Sequence, residues 1–192
     1  NADSGRFRGP EAPHGTGGTL DGGTTMTNST DSFAVEVQRT DGRCPVGEMV
    51  GQRNLKEARI PVLSCEGGCI RGEIARLAAN MVSREAGFAR GCHGELVTVP
   101  DSAIAQWIRG AEKVVLIDGC FLRCHGRMIQ GLLKEGQLLQ FDALNVYRKY
   151  TDVFDIDAVP PEEREEAARQ VARHVLAQLG GGRSTPSFLN VP

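Results

Sequence analysis

Two Cys-x3-Cys pairs, Cys65/Cys69 and Cys120/Cys124, are the residues of this chain best suited to chemistry. Paired thiols at short spacing in two clusters supply the donor set of a tetrahedral Zn²⁺ site. The same thiols could instead exchange disulfides or carry sulfur without a metal. Cys92 adds a fifth thiol within the same sixty residues, followed by His93 and Gly94, and the phrase recurs as Cys124-His125-Gly126. The candidate metal ligands are therefore Cys65, Cys69, Cys92, Cys120 and Cys124. Asp118, His93 and His125 are candidates to hydrogen-bond and orient them. Asp118 has a plainer reading too, because Asp-Gly is turn chemistry that swings a chain off a strand. Cys44 lies far upstream in a Pro/Gly context and receives no role.

The elements around these residues explain how they would meet. Cys65 follows the apolar run Ile60–Ser64, within a strand read over Arg59–Ser64, and Cys120 follows Lys113–Asp118, the clearest buried strand. Each pair precedes a helical pattern, so each thiol sits where a helix N-terminus favours the thiolate. Gly72–Arg84 carries Ile74, Leu77, Ala78 and Met81 at helical spacing, and Ser102 or Asp101 caps a helix burying Ile104, Trp107 and Ile108. Glu95–Val99 alternates like a strand, a helix from Cys124 to Lys134 would bury Met128, Leu132 and Leu133, and Gln137–Phe141 reads as a strand. Pro160-Pro161 ahead of Glu162-Glu163 opens a last helix that Gly180-Gly181-Gly182 ends.

Strands alternating with helices predict a single three-layer α/β domain with a mostly parallel sheet. In such sheets ligands bind beyond the carboxyl ends of the strands, where strand order reverses. A 2-1-3-4 order would make the strands ending at Cys65 and Cys120 neighbours at that point, with both cysteine pairs facing one crevice.

Composition narrows the function classes. Apolar residues make up 40% and charged residues 24%, ordinary values for a soluble globular chain, and the formal charge of −2 gives no basic face for nucleic acid. No apolar run approaches the ~20 residues that cross a bilayer. With no secretory signal pattern, the expected compartment is the reducing cytoplasm, where clustered cysteines bind metal or do redox work more often than they form structural disulfides. Residues 1–30 are poor in large apolar side chains and predict disorder, with Met26-Thr27 reading as a native start behind an upstream extension. Phe33–Val37 reads as a short strand or docking segment within an irregular stretch over 31–57. The tail over 183–192 is expected to be loose.

The run Asp118-Gly119-Cys120-Phe121-Leu122-Arg123-Cys124, with Cys65 after the first strand and Cys92 between, resembles the DGC domain. That family is named for its Asp-Gly-Cys tripeptide and described as a candidate zinc binder. The resemblance spans roughly Ile60 to Asp152 and implies an α/β domain over 58–182, with Cys65, Cys92, Cys120 and Cys124 as chelating residues and zinc as the metal. Cys69 departs from it, standing where many members carry a small residue. The resemblance supports zinc binding and carries no established activity; four thiolates around Zn²⁺ would leave no open position for water, which favours metal handling or sensing over hydrolysis, while an open fourth position would allow thiol chemistry. It does not decide between a binding protein and an enzyme.

A rival reading uses Cys65-Glu66-Gly67-Gly68-Cys69-Ile70-Arg71, a Cys-x5-Arg run between strand and helix. Cysteine-dependent phosphatases and related arsenate reductases use such a loop. Backbone N–H groups and Arg71 would hold an oxyanion while Cys65 attacks, with Asp152, Asp155 or Asp157 as general acid. Gly72 stands where such loops carry Ser or Thr, and this reading leaves Cys92, Cys120 and Cys124 without work.

Overall fold

The computed structural model describes residues 35–149 and 154–180. The expectations for 1–30 and 183–192, and the assignments to Phe33, Ala34 and Asp152, lie outside the described residues. Four parallel strands, β1 (Ile60–Ser64), β2 (Phe88–Arg90), β3 (Val114–Asp118) and β4 (Leu138–Asp142), form one sheet in the order β2-β1-β3-β4. Ser64 pairs with Ile117 and Asp118 with Asp142, so β1 and β3 are neighbours and end side by side.

Successive residues on a strand face opposite sides, and β3 uses both. Val115 and Ile117 join Val62 against helices α2 (Ile70–Val82) and α7 (Pro161–Leu179). Val114 and Leu116 join Leu63 against α3 (His93–Thr98), α4 (Ala103–Gly110) and α5 (Cys124–Ile129). All five β3 residues are buried, which is why the strand reads as a continuous apolar run and not as an alternation. Helices on both faces make a three-layer α/β sandwich. Among the described residues, no helix is long and apolar enough to cross a membrane.

Several elements differ from the sequence reading. The stretch read as irregular contains α1 (Pro45–Lys56), whose buried residues are Gly51 and Asn54 and which therefore shows no apolar stripe. Gly51 lets α1 lie directly on α4: a Cβ there would fall 2.3 Å from the Ala103 carbonyl carbon. Val35–Val37 has no regular secondary structure. Glu95–Val99 is not a strand; the chain leaves the short edge strand β2 and turns at Cys92 into α3, which buries Leu96. The helix after Cys124 ends at Ile129, continues as a 3-10 turn over Gln130–Leu132, and buries Ile129 while Met128 and Leu132 face solvent. β4 begins at Leu138; Gln137 still takes the Val114 N–H on its carbonyl, but its own N–H donates to the Lys134 carbonyl. Its side chain is buried and donates to the carbonyls of Ile108, Arg109 and Ala111 at the end of α4.

Candidate metal centre

The chain leaves β1 toward β2 on one side and leaves β3 toward β4 on the other, so the loops after β1 and β3 diverge and open a crevice between them. The ladder runs one step past β1, with Cys65 N–H donating to the Ile117 carbonyl at 2.8 Å. This fixes Cys65 beside the end of β3. Gly119 permits the approach from the other side: a Cβ there would meet the Arg71 carbonyl carbon and the Gly72 nitrogen, each at 3.0 Å.

Three donors converge in the crevice. One ligand atom each from Cys65, Asp118 and His125 lie within 4.8 Å of one another. Asp118 is 1% exposed. Its Oδ1 accepts the His125 backbone N–H at 3.2 Å, and its Oδ2 accepts the Gln140 side-chain amide at 2.7 Å. The first bond pins the opening turn of α5, and with it His125, over the end of β3. Gly126 leaves room for this pair, because a Cβ there would fall 1.6 Å from Gln140 Nε2 and 3.1 Å from Asp118 Oδ2 and would force the Gln140 side chain to move.

The His125 ring is under-satisfied. Its Nε2 accepts the Glu66 backbone N–H at a long 3.4 Å, and its Nδ1 is buried with no hydrogen-bond partner. His93, the first residue of α3, stands against it edge to face with ring centroids 4.9 Å apart. Burial first, and then the neighbouring His125, hold the His93 imidazole below its ordinary pKa; Glu66 pulls the other way, and Arg90 adds least to the lowering. The shift favours the neutral imidazole, the form that can donate a lone pair.

A polar bracket closes the β1 side. Arg90 on β2 donates to the Val62 carbonyl, to Ser64 Oγ and to Glu66, while Ser64 donates to Glu66 Oε1 at 2.5 Å. This bracket positions Glu66, whose N–H reaches His125.

No other cysteine joins the trio. All six cysteines are free; Cys65, Cys69 and Cys120 are half-buried, and Cys44, Cys92 and Cys124 exposed. Cys69 and Cys92 occupy the N-cap positions of α2 and α3, and neither side chain caps its helix. Cys124 opens α5. Partial burial of its thiol, and then the negative charge of Cys120, Cys65 and Asp118, push it above the ordinary thiol range. Cys120 and Cys124 thus share one electrostatic neighbourhood with Cys65. Cys92 lies on the other side, where it interacts with Arg90. Asp118 and His125, read from sequence as orienting residues, are the groups brought into ligand-atom range of Cys65. Gln140, Ser64, Glu66 and Arg90 were missed. The one signal for Gln140 is a polar residue at the centre of an otherwise apolar strand.

The Cys65–Arg71 loop turns two of its donors inward, the Glu66 N–H to His125 and the Gly67 N–H to Cys65 Sγ at 3.3 Å. Asp155 caps the 3-10 turn over Ile156–Ala158 by accepting the Asp157 N–H.

A family model described as the DGC domain matches residues 61–171, more than half of the chain. No curated protein and no solved structure matches it in these comparisons.

Proposed function

Because this chain belongs to the DGC domain family, we propose that it binds one zinc ion in the crevice between the β1 and β3 loops and serves in metal handling or sensing. The observation that carries this reading is the convergence of Cys65, Asp118 and His125 within 4.8 Å. Donor atoms around a tetrahedral Zn²⁺ lie about 3.3–3.6 Å apart, given bonds of ~2.0–2.3 Å, so small side-chain adjustments suffice. The donor chemistry fits as well. A thiolate, a carboxylate and an imidazole are all zinc ligands, and the unpartnered Nδ1 of His125 marks a polar group that a ligand would satisfy.

Zinc supplies a cross-link between the two loops and, where a position stays open, Lewis acidity. The residues of the chain do the rest. Cys65 and Asp118 bring two negative charges to the ion, Gln140 and the His125 N–H hold the carboxylate, and the Arg90–Glu66 bracket holds the His125 side. Cys120 and Cys124, in the electrostatic neighbourhood of Cys65, are further candidate thiolate donors, as are Cys69 and Cys92 at the N-caps of α2 and α3. The exposure of Cys92 and Cys124 favours exchange with a partner over a sealed structural site, since structural zinc is closed off by its ligands. Six free thiols fit a reducing compartment, the cytoplasm.

Thermal denaturation with and without zinc tests this reading, because metal that binds the folded chain raises its midpoint. The midpoint of the wild type should rise on zinc addition and that of Cys65→Ser should not; no rise in either refutes the reading. The oxyanion alternative is tested by Arg71→Ala, which should abolish arsenate or phosphate-ester turnover if that chemistry operates. Retained turnover excludes it. A reversible disulfide found by mass spectrometry after mild oxidation would favour metal-free thiol redox chemistry.

A further inference from the structure

A cavity of about 300 Å³, lined by Phe121, Asp142, Leu144, Asn145 and Arg148, opens beyond the carboxyl end of β4. That is room for a small organic molecule. We propose that it binds a small organic acid, with the carboxylate held by Arg148 and Arg123 and the apolar body laid against Phe121. This inference does not depend on the zinc reading.

Two arginines carry the argument. Ala58, Arg123 and Arg148 are the non-glycine residues with positive φ among those described, so two of the three belong to this cavity or its edge. Left-handed backbone disfavours any side chain, and a helix that ends in it ordinarily takes glycine there. Arg148 nevertheless ends α6 (Leu144–Tyr147) in that conformation, and Arg123 adopts it at the start of α5. Backbone preference places arginine at neither position, which points to a use for the side chains.

Their donors are largely open to a ligand. Arg148 uses Nε on the Asn145 carbonyl at 3.1 Å, which leaves the two terminal nitrogens of its guanidinium. Arg123 approaches Asp142 Oδ2 at 3.8 Å, beyond hydrogen-bond range. Asp142 is served without it, because the Asn145 N–H at 3.0 Å and the Asn145 side-chain amide at 2.9 Å each reach one carboxylate oxygen. Two guanidiniums against one carboxylate leave an excess of positive charge, and the planar guanidinium fork matches a carboxylate.

Phe121 sets the rest of the ligand. It is 62% exposed on the loop directly after Cys120, and Leu144 adds a second apolar wall. An apolar body would cover the phenyl ring, which inorganic phosphate cannot do. Position agrees with this use. Asp118 and Asp142 are register partners, so the cavity lies beside the crevice, at the strand ends where α/β sheets take ligands.

Titration of the full chain with benzoate, with and without zinc and followed by amide NMR shifts, tests this directly. Saturable shifts are expected at Phe121, Asn145 and Arg148 in both forms. Benzamide keeps the ring without the charge and inorganic phosphate the charge without the ring, so each should bind roughly tenfold more weakly or worse. In Arg148→Gly benzoate affinity should fall by roughly tenfold or more while the melting midpoint stays or rises, since glycine accepts the left-handed backbone. No saturable shift with benzoate overturns the inference, as do shifts confined to Cys65, Asp118 and His125. Benzamide or phosphate binding as tightly as benzoate, or undiminished affinity in Arg148→Gly, overturns it as well. The three probes on the wild type decide the matter even if the variant folds poorly.

Discussion

Gln140 donates its side-chain amide to Asp118 Oδ2 at 2.7 Å, across the pairing of β4 with β3. Leu116, not Asp118, is the register partner of Gln140, and the two polar side chains meet on the face that carries α5. Asp118 faces the crevice with this bond on one oxygen and the His125 N–H on the other. Gln140 is thus a positioning residue: it fixes the direction in which the carboxylate can offer its remaining lone pairs.

Replacing Gln140 with Leu should cost about 1–3 kcal/mol of stability, because a carboxylate that is 1% exposed loses one of its two donors. It should also weaken zinc binding by roughly 10–100-fold. Urea denaturation and competition against a chelating dye measure the two effects separately. Stability lost with zinc affinity intact would make the bond purely structural.

Gly126→Ala should act through the same pair. The new Cβ needs the space of Gln140 Nε2, which can swing away only by giving up Asp118. The expected outcome is a folded protein destabilised by about 1–3 kcal/mol, with reduced zinc affinity. Adding Gln140→Ala to the glycine variant should cost far less than either change predicts alone, and full additivity would show that the two sites do not interact.

Cys44 does local work away from the site. Its sulfur accepts the Gly47 N–H at 3.4 Å and caps α1. Serine is a better cap than cysteine, so Cys44→Ser should leave stability unchanged or raise it by up to about 1 kcal/mol, while Cys44→Ala should lower it by about 0.5–1 kcal/mol. Zinc content should match wild type in both, and thermal melts with elemental analysis check the pair.

Acid should reveal a second, site-independent term. Glu166 on α7 bonds to Arg169, Gln170 and Arg173, and these contacts pull its carboxyl from an ordinary 4.5 to about 2. A depressed folded-state value contributes stability that is present above about pH 4.5 and is lost as pH falls toward 2. The group is largely exposed, so screening holds the effect within the ~0–1 kcal/mol range of surface pairs. Glu166→Gln should therefore lower the melting temperature slightly at pH 7 and not at all near pH 2. An equal difference at both pH values would contradict this assignment.

Burial on both faces made β3 legible in the sequence, since Val114–Ile117 needs no alternation to read as a strand. The turn signals at both ends likewise marked α7. The 2-1-3-4 order is a premise that no residue of the sequence dictates; the sheet has that order, but with Phe88–Arg90 and not Glu95–Val99 as its second strand. β2 is only three residues long and carries no period. α1 packs through Gly51 and Asn54, which no hydrophobic pattern records. At the site, the thiols drew attention to the right loops. The approach of Asp118 and His125 to Cys65 depends on the β1–β3 register and on the Gly126 contact, two long-range facts that no local spacing encodes.

The most direct measurement is the metal content of anaerobically purified wild type, Cys65→Ser, His125→Ala and Cys44→Ser after zinc loading and desalting. About one zinc per chain is expected in wild type and Cys44→Ser, and little or none in Cys65→Ser and His125→Ala. Undiminished zinc in Cys65→Ser, or none in wild type, would contradict it.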